Sequence, residues 1–202
     1  YAWERGLFAE QFLEKRLRLP ARQIAGITRD LARAGAKLIR TPRVLIHRDL
    51  QSSNIFLVDA TAGSRTAIQR PFLIDFQGMR FGAAAYDLAS LLKDCYVRWP
   101  QAVVDAGVQQ AWLGYQSAGL LGGYSRDEFA AALHTTGLQR HLKAAGIFTR
   151  LHHRDGKSGY LADIPRTLGY VFDAARSLPE LQDFADWLAE RVLPAFPERE
   201  AE

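Results

Sequence analysis

With 202 residues, 48% of them apolar, the chain can build a real core in one sizeable domain or two very small ones. A net charge of +4, spread over interspersed signs with no long block of like charge, excludes a charged nucleic-acid arm. One cysteine excludes an internal disulfide, and no stretch approaches the ~20 apolar residues of a membrane-spanning helix.

The opening residues carry acidic groups and no apolar signal-peptide core, so the expected compartment is the cytoplasm. Neither nucleic acid nor membrane is an expected partner. The first forty residues read as helix. "AEQFLEKRLRLP" stops at Pro20, and Ile24, Ile27, Leu31, Ala34 and Leu38 then recur at helical spacing until Thr41-Pro42. Three short apolar runs follow, "RVLIH", "NIFLVD" and "PFLID". They read as three strands, the last two forming a hairpin through the turn "DATAGS".

After Gly82 helix is expected again. "YDLASLLKDCYV" puts Leu88, Leu91, Leu92, Cys95 and Tyr96 on one face, with Cys95 as a small buried hydrophobe. Pro100 starts the next helix. "SRDE", from Ser125 to Glu128, is a capping box opening a long helical stretch to about Leu151. Asp163 with Pro165 opens another helix, and Pro179 the last. The expected fold class is α+β, mostly helical, in one domain with a small sheet near its start.

The chemistry is concentrated in "VLIHRDLQSSNIFLVD". His47, Arg48, Asp49, Leu50 and Asn54 fit the template H-R-D-L-x-x-x-N without a gap. A strand delivers Asp49 to a loop where its carboxylate meets an acceptor hydroxyl. The chain then turns back, and Asn54 at the head of the next strand offers its side-chain oxygen to a metal ion. At "FLIDFQG", Asp75 ends an apolar run at hairpin distance from Asn54, the place of a second metal ligand; a buried carboxylate there stays ionised beside a cation. Asp87, opening the helix "YDLASLL", is placed to accept backbone N–H bonds from the loop and to favour its helix N-terminus.

A second HRD, in "HHRDGKSGY", has no apolar strand before it and offers Tyr160 where the template wants asparagine. It reads as a polar, solvated loop between helices. Arg154, Asp155 and Lys157 within it are candidate substrate contacts.

A complete kinase also needs a glycine-rich turn over the phosphates and a strand lysine, both ahead of the HRD loop. Here Lys15 and Lys37 lie in helical sequence, and Gly6, Gly26 and Gly35 are scattered. The amino-terminal lobe is therefore expected to lie outside residues 1–202. The chain, opening on Tyr1, reads as a piece of a larger kinase that folds by itself without catalysing.

"IHRDLQSSN", "LIDFQG" and "YDLASLL" together resemble the aminoglycoside-phosphotransferase and choline-kinase-like small-molecule kinases. The spelling "DFQ" and the stretch "RHLKAAGIFTRLHHRDGKSGYLADIPRTLGYV" are similar to the bacterial N-acetylmuramate/N-acetylglucosamine anomeric kinases of peptidoglycan recycling. The resemblance runs from about Trp3 to Leu193. It implies the carboxy-terminal lobe of a protein-kinase-like fold, ATP and Mg²⁺ as cofactors, and a small sugar as acceptor. It also implies Asp49 as catalytic base, Asn54 and Asp75 as metal ligands, and His47, Arg48 and Asp87 as support for the loop. Members of that branch often carry an acid after "DFQ", where this chain has Gly78. The competing expectations are a kinase for an aminoglycoside, choline or an amino alcohol, and a non-catalytic binding module derived from a kinase.

Overall fold

The computed structural model describes residues 1–59 and 69–197. The start is helical: α1 (Ala2–Leu7) runs on as a π-helical segment, Phe8–Arg16, that buries Phe8, Phe12 and Leu13. Pro20 separates it from α2 (Ala21–Ala36), whose buried Leu31 and Ala34 face the core. A 3₁₀ turn over Lys37–Arg40 leads to β1 (Arg43–Ile46).

The sheet region differs from the sequence expectation. Four strands occur among the described residues, in two separate antiparallel pairs. β2 (Ile55–Asp59) pairs with β3 (Gln69–Leu73) in the expected hairpin, with Ile55 opposite Leu73. Most of the expected turn, residues 60–64, lies outside the described residues. β1 joins neither of them and pairs with β4 (Arg80–Ala83), Val44 facing Gly82 and Ile46 facing Arg80. The sequence hides β4 because "RFGA" is short and holds a glycine, which usually weakens a strand. Here the glycine leaves room for its partner strand: a Cβ at Gly82 would force the Ile46 side chain to shift.

The rest is helix: α3 (Ala85–Leu92), α4 (Gln101–Ser117), α5 (Arg126–Asp155), α6 (Ile164–Arg176) and α7 (Gln182–Trp187). α3 ends at Leu92, short of the expected Tyr96. The Asp94 carboxylate accepts the Tyr96 N–H at 2.9 Å, a local bond that competes with continued helix. α5 opens on the expected capping box: Ser125 Oγ accepts the Glu128 N–H, and Glu128 Oε2 accepts the Ser125 N–H. It continues past Leu151 to Asp155. There Gly156, at φ 67°, provides the left-handed cap, with the Lys157 N–H donating to Leu151 O.

α5 is the spine of the domain and packs against α1, α3 and α6. It approaches α1 closely because Gly146 has no side chain; a Cβ there would sit 3.0 Å from backbone atoms of Leu7 and Phe8. The larger core gathers Phe8, Phe12, Leu31, Leu138, Leu168 and Leu188. A smaller one joins Leu88, Leu92, Phe129 and Leu133, with Trp112 and Tyr115 packed against Phe129. Cys95 is buried, and burial raises its thiol pKa. Among the described residues no helix is long and apolar enough to cross a membrane.

Candidate active site

β1 leads into buried His47, whose two ring nitrogens have no hydrogen-bond partner among the described residues. The chain then turns sharply at Arg48, a non-glycine residue at φ 78°. Such a conformation costs on the order of 1–3 kcal/mol and persists only where neighbours enforce it. Asp87, in the first turn of α3, does so. Its Oδ2 accepts the His47 N–H at 2.6 Å and its Oδ1 the Arg48 N–H at 2.9 Å. The Arg48 guanidinium reaches across to donate to Gly78 O at 3.3 Å.

The loop closes on itself after Asp49. Asp49 O accepts both the Gln51 N–H at 3.0 Å and Asn54 Nδ2 at 2.8 Å, and the Asn54 N–H donates to Gln51 O at 2.9 Å. Using Nδ2 in this way leaves the Asn54 side-chain oxygen available as an acceptor or ligand. A second carboxylate braces the far side of the loop. Asp94 is fully buried and its Oδ2 accepts the Ser52 N–H at 2.7 Å. Sequence reasoning missed Asp94, since an acid near the end of "LLKDCYV" looks like a solvated helix end.

Asn54 and Asp75 are neighbours through the backbone: the Ile74 N–H donates to Asn54 O at 3.2 Å, one residue beyond the β2–β3 ladder. Asp75 adopts the left-handed conformation, φ 65°, and its Oδ1 accepts from Gln77 Nε2. It is exposed, which corrects the expectation of a buried carboxylate. One amide oxygen and one carboxylate form a hard-oxygen donor set. That suits Mg²⁺, which usually takes one or two carboxylates and completes its shell with water and phosphate oxygens.

The Asp49 side chain is 43% exposed, open to a reacting group, and its Oδ1 lies 3.5 Å from Lys143 Nζ on α5. One turn earlier, buried Arg140 donates to Gln51 Oε1 at 3.2 Å and to Cys95 Sγ at 3.6 Å. Asp49, Gln51, Tyr96, Arg140, Lys143 and Phe148 are among the residues lining a recess of about 140 Å³. Lys143 and Arg140 were also missed. Their positions belong to a helix distant in sequence, and no local motif marks them. A larger cleft, about 290 Å³, opens beside Arg48 and Tyr86, but none of Asp49, Asn54 and Asp75 lines it.

The second HRD is not a loop. His153, Arg154 and Asp155 form the last turn of α5, because Gly156 rather than Leu151 stops the helix. Arg154 and Asp155 pair with each other at 2.6 Å, and Lys157 follows the cap. Eleven helical residues separate Arg154 from Lys143, about 16 Å along the axis. None of Arg154, Asp155 and Lys157 lines the recess at Asp49. The rings that a choline site would use are engaged elsewhere: Trp112 and Tyr115 pack on Phe129, and Trp99 Nε1 donates to Leu91 O.

The chain is 37% identical over 149 residues to an N-acetylmuramate/N-acetylglucosamine kinase of Pseudomonas putida, covering 74% of this chain and 41% of that protein. It is 39% identical over 155 residues to the protein of that name from Neisseria meningitidis serogroup B, covering 77% and 44%. To the one from Caulobacter vibrioides it is 29% identical over 151 residues, covering 75% and 38%. The chain thus spans about two fifths of the length of the curated relatives it matches. A model described as the phosphotransferase enzyme family matches residues 2–129, most of the chain and all of the loop, the hairpin and Asp87. The chain belongs to the phosphotransferase enzyme family.

Proposed function

We propose that the protein transfers the γ-phosphate of ATP to the anomeric hydroxyl of N-acetylmuramate or N-acetylglucosamine. The observation that carries this reading is the loop itself: Asp49, half-exposed, sits between two carboxylate-braced turns and beside the Asn54–Asp75 pair. The choice of sugar follows the names of the relatives.

In this reading the Asp49 carboxylate accepts a hydrogen bond from the acceptor hydroxyl and orients it. It takes the proton as the oxygen–phosphorus bond forms and the bond to the β-phosphate oxygen breaks. Asn54 and Asp75 would hold Mg²⁺, which would supply charge neutralisation at the phosphates. His47, Arg48, Asp87 and Asp94 keep the loop in its shape. The cations Arg140 and Lys143 beside Asp49 disfavour a polycationic acceptor such as an aminoglycoside.

We assign residues 1–202 to the carboxy-terminal lobe of this kinase. The two sheets leave the large apolar side chains Leu45, Phe56, Leu57, Phe72 and Phe81 more than half exposed, and clustered exposed apolar groups mark binding surfaces. An adenine ring and an amino-terminal lobe carrying the glycine-rich turn and the lysine would cover these side chains.

The test is phosphorus NMR on the full-length protein with Mg²⁺, ATP and a panel of acceptors. A new anomeric sugar-phosphate resonance with either N-acetyl sugar is the expected result. Product on kanamycin or choline, and none on the two sugars, would overturn the reading.

A further inference from the structure

We propose that Arg140, with Gln51 and Lys143, binds a carboxylate on the acceptor, so that the site selects an acidic N-acetyl sugar over its neutral counterpart. This rests on the sugar-kinase reading and deepens it.

The recess beside Asp49 is unusual in its charge. Arg140 is 6% exposed, yet its side-chain partners among the described residues are an amide oxygen, Gln51 Oε1, and the Cys95 thiol, and neither carries charge. A guanidinium has five N–H donors and no acceptor, so these two bonds leave donor capacity unused. A buried cation without a paired anion is costly, and buried charges are as a rule paired, so an anionic ligand would complete this one.

Lys143 adds a second cation to the same recess. Its only anionic partner among the described residues is Asp49, at 3.5 Å, longer than a tight ion pair. Among the residues lining the recess, two cations, Arg140 and Lys143, stand with one carboxylate, Asp49, and the lining carries a positive surplus. An acceptor that presents its hydroxyl to Asp49 would put a short acidic substituent within reach of Arg140, Gln51 and Lys143. Tyr96 and Phe148 form an apolar wall, their rings 6.1 Å apart, that suits the nonpolar part of such a substituent. Arginine is suited to this role because its planar fork matches a carboxylate with two parallel bonds.

The expected preference is read with three acceptors: N-acetylmuramate, its carboxamide, in which the acid becomes a neutral group of the same shape, and N-acetylglucosamine. Wild-type full-length protein should favour the acid over the carboxamide in kcat/KM by roughly 10- to 100-fold, the range for hydrogen bonds to charged groups. In Arg140→Gln and in Lys143→Gln that ratio should collapse toward unity, with the loss mainly in KM for the acid. A wild-type enzyme that treats acid and carboxamide alike overturns the proposal, whether or not the buried variant folds. Equal losses on all three acceptors in both variants overturn it too, since they would mark a merely structural role. Wild-type turnover of none of the three would overturn the sugar-kinase reading along with it.

Discussion

The Asp87 carboxylate spans the two backbone N–H groups just ahead of Asp49, accepting from His47 at 2.6 Å and from Arg48 at 2.9 Å. One side chain thereby holds the left-handed turn at Arg48 that aims Asp49. Asp87→Ala leaves both donors without this partner. We expect a loss of about 2–4 kcal/mol in unfolding free energy, the scale of hydrogen bonds to a charged acceptor. We also expect kcat to fall at least about 100-fold as Asp49, the proposed base, loses its position. Urea titration and steady-state kinetics on the full-length protein check both.

Asp94 does the same for the other end of the loop, joining the Ser52 N–H to the Tyr96 N–H. In Asp94→Asn one acceptor oxygen becomes an NH₂ group, which faces a donor. The variant should lose about 1–3 kcal/mol, the cost of one buried donor left unsatisfied. Its kcat should drop less than that of Asp87→Ala, because the strained turn at Arg48 keeps its own brace. A drop in kcat larger than in Asp87→Ala would show that the Ser52 end dominates the positioning of Asp49.

Asp75→Asn removes the one carboxylate of the proposed metal pair. Asp75 is exposed, and its side chain bonds only Gln77 among the described residues, so the fold should be unaffected. Turnover at saturating ATP should fall at least about 100-fold, and raised Mg²⁺ should restore part of it. Wild-type kcat at ordinary Mg²⁺ would remove Asp75 from the metal site.

The turn at residues 47–54 and the approach of Asp75 to Asn54 across a hairpin were readable because one short stretch spells the loop and its two flanking strands. The α+β class and the capping box at Ser125 were readable because helix periodicity and cap chemistry are local. The misses have a different physical origin. β4 exists through its partner β1, since "RFGA" has little strand propensity of its own. Asp94, Arg140 and Lys143 matter only because α3 and α5 fold back onto the loop, a relation of long sequence separation. The polar loop expected at the second HRD fails for the opposite reason: its charged, local spelling lies inside a helix that runs on until Gly156.

Gly146 is a test of the packing that sets this relation. α5 lies against α1 so closely that a Cβ would meet Leu7 C, Leu7 O and Phe8 N at 3.0 Å. These are backbone atoms in a helix and cannot swing aside like a side-chain end. Gly146→Ala gains helix propensity, up to about 1 kcal/mol. Overpacking costs about 1–3 kcal/mol. The net expectation is destabilisation, seen as a lower Tm; an unchanged or raised Tm would show that α1 yields.

The last prediction concerns pH. His141 is fully buried in α5, one residue from Arg140, with Nε2 2.7 Å from Lys93 O and its ring 5.0 Å from that of Tyr170. Burial, and after it the neighbouring Arg140 charge, pushes its pKa down to about 3. An unfolded histidine titrates near 6.5. Between these values the unfolded chain binds a proton that the folded chain refuses, so stability is full above pH 6.5 and falls as pH drops. One such group costs about 2 kcal/mol between pH 7 and pH 5. Burial also lowers the pKa of His134, adding a contribution of the same sign. Burial raises the pKa of the Asp163 carboxyl, a contribution of opposite sign that is common to wild type and variant and so cancels in their comparison. In His141→Gln the amide can still donate to Lys93 O and has no proton to gain. Urea unfolding at pH 7 and pH 5 should therefore show a smaller acid-side loss in the variant than in the wild type, by about 2 kcal/mol. Equal losses in the two proteins would mean that His141 takes up its proton in the folded state, which needs α5 to open beside Arg140.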